Sequence, residues 1–251
     1  MTDPFLAVNR VVFAHAHPDD ETLATGALIQ QLTEAGVAVA VVTATRGERG
    51  EVVPGSGAPP AGTEALQAHR EGELAAALRA LGAEGPFFLG EPPARASGLS
   101  PRRYVDSGMR WVTPTLAGPG EDAGADAFTS AGAAEAAADL AAFLVSWRAG
   151  LVVSYDVDGG YGHPDHVRMH HVAVAASALA GVPFAEVISI PRDGTAPDET
   201  GVTWYDRTDR LDDLLPALHA HASQFTVDGR DAIHSGGQRE PLHLRTGVRL
   251  C

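Results

Sequence analysis

Sulfur ligands are nearly absent: the single cysteine is the last of 251 residues, Cys251. No intrachain disulfide can form, a reducing compartment is the simplest home, and any metal site must be built from His and carboxylates. Basic residues are outnumbered, 18 Lys and Arg against 32 Asp and Glu, and this net charge of -14 argues against non-specific binding to nucleic acid or to anionic membranes. Residues 1–10 carry no basic-plus-apolar leader, and no apolar run approaches a membrane span, so the expectation is a soluble, cytoplasmic protein. There is no internal repeat and no low-complexity tract beyond Ala-rich helices. Also missing is the glycine fingerprint of a dinucleotide site, which weakens a nucleotide-binding Rossmann reading. The length suits one large α/β domain, 1–251, with a core over about 10–190 and a C-terminal extension over about 191–251.

In place of glycines, the apolar run Val11-Val12-Phe13-Ala14 is followed by His17-Pro18-Asp19-Asp20-Glu21 and then by helical periodicity from Thr22 to Ala35. A short buried strand feeding a crossover helix puts this cluster at the strand's carboxyl end, where open α/β sheets bind ligands. One imidazole and three carboxylates there repel phosphate and attract a cation. Helix capping accounts for one or two of the acids, because Asp and Glu stabilise a first turn without any function. It leaves the His and the third carboxylate unexplained.

Further along, the pattern predicts a second buried strand at Val37–Thr45, a charged Gly- and Pro-rich loop over 46–62, and a helix at Glu64–Leu81. That helix sets Arg70 on the apolar row of Leu66, Leu74 and Leu78, so the guanidinium needs either a structural carboxylate such as Glu73 or a ligand in a cleft. A short third strand at Phe87–Gly90 precedes a long aperiodic segment, Glu91–Asp126, which contains the polar run Arg103-Tyr104-Val105-Asp106-Ser107-Gly108-Met109. A helix at Ala131–Ala149 and a fourth strand at Leu151–Tyr155 lead to the second chemical motif, Tyr161-Gly162-His163-Pro164-Asp165-His166. Pro164 suits a first helical turn, so His163 and His166 sit near a helix N-terminus on one face, with His170 continuing it and His171 at the surface. A fifth strand at Val187–Ile190, an extended piece at Val202–Tyr205, a helix at about Leu211–Ser223 and a polar tail complete the chain. His219, His221, His234 and His243 lack ligand spacing and read as ordinary surface or core-edge residues.

Strands alternate with helices, so right-handed crossovers give a three-layer, Rossmann-like, mostly parallel sheet with helices on both faces. With the first three strands laid out 3-2-1 and the fourth on the other side of the first, strands 1 and 4 become neighbours. The crevice between their carboxyl ends is the topological switch point. It brings the His17 and His163 motifs to the two walls of one active-site crevice. Together they offer two imidazoles and a carboxylate, the donor set of a catalytic zinc with a fourth position left for water. Iron is accepted by the same ligands.

Ala16-His17-Pro18-Asp19-Asp20-Glu21 together with Tyr161-Gly162-His163-Pro164-Asp165-His166 resembles the PIG-L / LmbE-like family of zinc-dependent N-deacetylases acting on N-acetylglucosaminyl substrates. The likeness extends through Thr43–Val52, Arg103–Met109 and Tyr155–His166, is strongest with the mycothiol-pathway branch, covers about Val11–Leu179, and is weak in the tail at Ala220–Gln224. It implies one zinc per chain held by His17, Asp20 and His166, with Asp19 as general base. It implies that His163, with Asp165 beside it, and Tyr161 serve the transition state, and that Arg70, Asp106 and Glu51 hold the sugar. The implied partner is a small N-acetylated amino sugar of the N-acetylglucosaminyl-inositol type, deacetylated by metal-bound water. Seven residues after His17 the deacetylase branch carries a small hydroxyl and the amidase branch a Lys, whereas Ala24 stands here, and the chain is shorter after its fifth strand. Both differences bear on the aglycone. The competing expectations are an amidase of mycothiol conjugates, a deacetylase of a glycosylated natural product, and a non-catalytic metal- or sugar-binding relative.

Overall fold

The computed structural model of the chain describes residues 3–120, 123–190 and 195–251. The apolar run near the N-terminus forms β1 (Arg10–His15), every residue after Arg10 being buried. Its side chains alternate: Val11 and Phe13 enter one core, Val12 and Ala14 the other. Two short helices follow, α1 (Asp20–Leu23) and α2 (Gly26–Glu34). The single helix expected over this stretch breaks at Thr25, whose hydroxyl donates to the Glu21 carbonyl at 2.9 Å and meets His15 Nε2 at 3.0 Å. A side-chain hydroxyl competing for backbone groups interrupts a helix in this way.

β2 (Ala38–Thr43) leads through the charged loop to α3 (Glu64–Leu81), which starts on a Thr63 side-chain cap and stops at Gly82, φ 72°. β3 (Glu84–Phe88) begins three residues before the expected Phe87. The long segment that lacked periodicity contains a small hairpin, β4 (Met109–Trp111) and β5 (Ala117–Pro119), with residues 121–122 outside the described part. Then come α4 (Ala133–Ser146), β6 (Leu151–Tyr155), the one-turn α5 (Gly159–Gly162), α6 (Pro164–Ala180) and β7 (Phe184–Val187). This last strand was expected at Val187–Ile190. It leaves the ladder because Asp156 takes the Ser189 N–H and hydroxyl, both at 2.7 Å.

The expected extended piece and late helix are present, and beyond them the expected polar tail is ordered structure. β8 (Val202–Asp206), α7 (Leu211–Ala220), β9 (Phe225–Asp228), β10 (Asp231–His234), β11 (Arg239–Pro241) and β12 (Arg245–Leu250) follow in order. The main sheet has seven strands in the order β3-β2-β1-β6-β7-β12-β8. The five from β3 to β7 run parallel, while β12 is antiparallel to both of its neighbours. The 3-2-1 layout with the return strand beside β1 is therefore present, and β1 and β6 flank the switch point. One core packs Phe13, Leu28, Leu78, Leu218 and Phe225, and the other packs Val12, Leu140, Phe143 and Met169, so helices cover both faces. Leu218→Ala, a truncation on the late helix α7, is expected to cost about 2–5 kcal/mol in equilibrium urea unfolding because its cavity opens into the main core. A midpoint unchanged from the parent would show the C-terminal elements to be an appendage.

Candidate metal and active site

Each wall of the crevice is built by a strand end. After β1 the chain turns at His17, and after β6 it passes through α5 into α6, whose first turn holds Pro164, Asp165 and His166. His17 Nδ1 lies 3.3 Å from Asp20 Oδ2 and 3.3 Å from His166 Nε2, and His166 Nε2 lies 3.2 Å from Asp20 Oδ1. Donors bound at about 2.0–2.1 Å in a tetrahedron stand about 3.3 Å apart along each edge. The two imidazole nitrogens and the Asp20 carboxylate, which turns one oxygen to each of them, thus cluster at spacings that suit a divalent ion. Among the described residues, the groupings whose ligand atoms all lie within 4.8 Å of one another are His17 with His163 and His166, and His17 with Asp106 and Asp165. In the second, the carboxylates accept hydrogen bonds, Asp165 from Ser107 and Asp106 from the Arg49 and Gly108 amides, as Asp20 Oδ2 does from the His17 amide and the Tyr155 hydroxyl.

The tautomers suit the same reading. His17 Nε2 donates to Asp165 Oδ2 at 3.2 Å and His166 Nδ1 donates to the Gly159 carbonyl at 3.2 Å, which turns His17 Nδ1 and His166 Nε2 toward Asp20. Burial opposes a charge on His17, but the Asp106, Asp165 and Asp20 carboxylates outweigh it and hold the imidazole well above its ordinary value, so an ion bound at Nδ1 would displace a proton. Tyr155 stacks on the His166 ring at 4.3 Å and donates to Asp20 Oδ2 at 2.6 Å. Burial opposes ionisation of Asp20, but His166 and His17 outweigh it and hold its carboxyl well below the usual range.

Asp19 is the N-cap residue of α1 yet its side chain caps nothing, so capping does not account for it. It faces a cavity of about 310 Å³ shared with His17, Asp20, Tyr161, His163 and His166. Burial and the neighbouring Asp20 charge push it up to about 7, in the range of a group that exchanges protons near neutrality. His163 sits 4.6 Å, ring to ring, from His17, and burial followed by its neighbours His17 and His166 holds it well below its ordinary value. Its Nδ1 accepts the Asp165 backbone N–H at 3.2 Å, which leaves its single proton on Nε2. Asp165, expected beside His163, turns its carboxylate to His17 and Ser107 instead.

The residues expected to hold the sugar divide. Arg70 reaches the cavity, but it donates to the carbonyls of Gly47, Gly50 and Glu51 rather than to Glu73, which holds Ser223 instead. Asp106 lies behind His17, 3.7 Å from Nε2, and the Glu51 carboxylate accepts from Ser235 at 2.9 Å. His170 donates to the Tyr155 carbonyl at 2.8 Å and so turns from the donor triangle, and His171 is exposed as expected. Residues that the sequence reading set aside complete the cavity wall: Gln224, His234, Glu240, His243, Arg245 and Thr246. His221, taken for an ordinary His, is fully enclosed against Glu21 at 2.8 Å. The faint Ala220–Gln224 likeness was the only signal for that region.

Fold and site together define a doubly wound α/β protein whose switch point carries a His–carboxylate site suited to one divalent ion. The family model described as PIG-L: GlcNAc-PI de-N-acetylase matches residues 12–177, and the chain belongs to that family. A 1D-myo-inositol 2-acetamido-2-deoxy-alpha-D-glucopyranoside deacetylase of Kineococcus radiotolerans is 36% identical over 285 residues, spanning 96% of this chain and 77% of that protein. One of the same name from Mycobacterium sp. strain KMS is 38% identical over 249 residues, 88% of this chain and 75% of its own. Among solved structures, the N,N'-diacetylchitobiose deacetylase from Pyrococcus horikoshii superposes with a TM-score of 0.61 at 22% identity, covering 89% of this chain and 73% of that one, a likeness of fold.

Gly159 carries the carbonyl that orients His166, at φ +63°, and an added Cβ would lie 2.6 Å from the Val167 nitrogen. Gly159→Ala is expected to lose at least about 1–3 kcal/mol from the backbone conformation alone. Urea denaturation with an unshifted midpoint would contradict this placement.

Proposed function

We propose that the chain is a metal-dependent N-deacetylase that removes the acetyl group of an N-acetylglucosamine-containing small molecule of the inositol glucosaminide type. The observation that carries this reading is the position of Asp19: an uncapping carboxyl, pushed up to about 7, on the same cavity as the His17–Asp20–His166 triangle. The names of the two relatives support the substrate class. Zinc is the proposed ion, held by His17, Asp20 and His166, and ferrous iron is the alternative that the same ligands accept. When bound, such an ion supplies Lewis acidity to a carbonyl oxygen and brings the pKa of water toward neutrality.

The chain's own groups supply the rest. Asp19 accepts the proton of the attacking water and returns it to the amine nitrogen as the C–N bond breaks, leaving acetate and a free amino sugar. His163, neutral with its proton on Nε2, donates to the oxyanion that forms on the acetamide oxygen, and the Tyr161 hydroxyl is the second donor on that side. Asp165 does not touch the substrate in this account; it holds His17 through Nε2. Arg70 shapes the sugar subsite by fixing the loop carbonyls around Gly47–Glu51, while Asp106 sits beside His17 and the Glu51 carboxylate accepts from Ser235. Ala24 and the wall from His234 to Thr246 face the aglycone.

Asp19→Asn is expected to keep one ion per chain while turnover of the inositol glucosaminide falls by at least about 100-fold, read by release of free amine. His166→Ala is expected to lose both ion and activity, and full occupancy in that variant would move the ligand set elsewhere. Across a panel of N-acetyl sugars and bulkier mycothiol-type amides, the inositol glucosaminide should give the highest kcat/KM. A preference for the bulky amides would assign the chain to amidase chemistry on the same site.

A further inference from the structure

Behind the Asp19 loop lies a set of buried polar groups that the chemistry above leaves unassigned. His221 Nε2 donates to Glu21 Oε1 at 2.8 Å across 200 residues of chain, and both side chains are fully enclosed. The second oxygen, Glu21 Oε2, accepts the backbone N–H of Asp19 at 2.9 Å. On the other side of the same peptide unit, the Pro18 carbonyl accepts from Gln224 Nε2 at 2.7 Å, and Gln224 Nε2 also reaches His221 Nδ1 at 3.2 Å. Both ends of the Pro18–Asp19 peptide are thus gripped, and His221 joins the two grips. A donor on His221 Nδ1 keeps its proton on Nε2, toward Glu21, so one closed ring of bonds joins Glu21, His221, Gln224 and the Pro18–Asp19 peptide.

That peptide needs holding. Asp19 has φ 119° and ψ -30°, in the left-handed half of backbone space that a residue with a Cβ avoids. Such a conformation persists only where its surroundings over-determine it. Relaxation of φ would rotate the Asp19 carboxyl away from the triangle and out of line with a substrate. His221 and Gln224 come from the turn between α7 and β9, so the late elements of the chain, packed on the first core, reach across to set this angle.

We propose that Glu21, His221 and Gln224 are positioning residues for Asp19, clamping the Pro18–Asp19 peptide in the one orientation that aims its carboxyl into the cavity. The inference rests on Asp19 being the general base. Its test is a double-mutant cycle on ion-loaded protein, with 1D-myo-inositol 2-acetamido-2-deoxy-alpha-D-glucopyranoside as substrate and ion content and unfolding midpoint measured beside the kinetics. Gln224→Met, which keeps bulk and removes both donors, should lower kcat about 10- to 100-fold with KM and ion content nearly unchanged. Asp19→Asn with Gln224→Met should be no slower than Asp19→Asn alone, because a group acting only through Asp19 has nothing to act on once that carboxylate is gone. His221→Gln, which retains a donor for Glu21, should hold kcat within about threefold of the parent where His221→Leu does not. This pair decides the matter if Gln224→Met does not fold. Unimpaired kcat in Gln224→Met, or a further loss of about tenfold or more in the double variant, overturns the positioning role while Asp19 remains the base. Parent-like turnover in Asp19→Asn overturns the base assignment and the clamp with it.

Discussion

The His17 imidazole is fixed at both nitrogens, and the geometry of the crevice depends on that. Nε2 is committed to Asp165, itself held by the Ser107 amide and hydroxyl, so Nδ1 is turned toward Asp20 and His166. His166 is set in the same way by the Gly159 carbonyl and by the stacked Tyr155 ring. The protein's own hydrogen bonds therefore bring the two imidazole nitrogens and the two Asp20 oxygens together at 3.2–3.3 Å. Four separate stretches of sequence must fold before that happens: the turn after β1, the run containing Ser107, the end of β6, and the first turn of α6.

The fold explains why those stretches meet. Parallel pairing of β1 with β2 on one side and β6 on the other makes the carboxyl end of β1 the point where connections diverge, and a crevice opens there without any cost to the sheet. The late antiparallel strands then close the open side. β12 inserts between β7 and β8, and the β9–β11 sheet brings His234 and Glu240 to the cavity wall, so the site is bounded by residues from both ends of the chain. The same late elements carry His221 and Gln224, which grip the peptide before Asp19. In the proposed reaction the early motif supplies the general base, and the peptide that carries it is held from more than 200 residues downstream.

Much of this was legible in the sequence because the signals are local. An apolar run ending in His17-Pro18-Asp19-Asp20-Glu21 can only be a strand end with a charged rim, and Pro164 marks the start of the helix that presents His166. What was not legible was decided by distant partners. Arg70 on an apolar stripe announces a buried guanidinium, but only the loop path shows that carbonyls rather than Glu73 receive it. Asp165 stands beside His163 in sequence, yet the helix turns its side chain to His17. The tail was misread because Thr246 and Val248 point inward from a strand whose other residues are Arg, Gly and Leu, too short and mixed a pattern to declare itself. His221 lacks ligand spacing because its partner, Glu21, stands 200 residues away in the sequence.

The central claim is that one divalent ion is bound by His17 Nδ1, Asp20 and His166 Nε2 on the cavity side of His17. Anomalous diffraction at the zinc edge, from crystals of the zinc-loaded protein, tests it most directly. The expected result is a single strong peak about 2.0–2.2 Å from those three ligands, with Asp165 still hydrogen-bonded to His17 Nε2. A peak between His17, Asp106 and Asp165, or one that involves neither His17 nor His166, would contradict it.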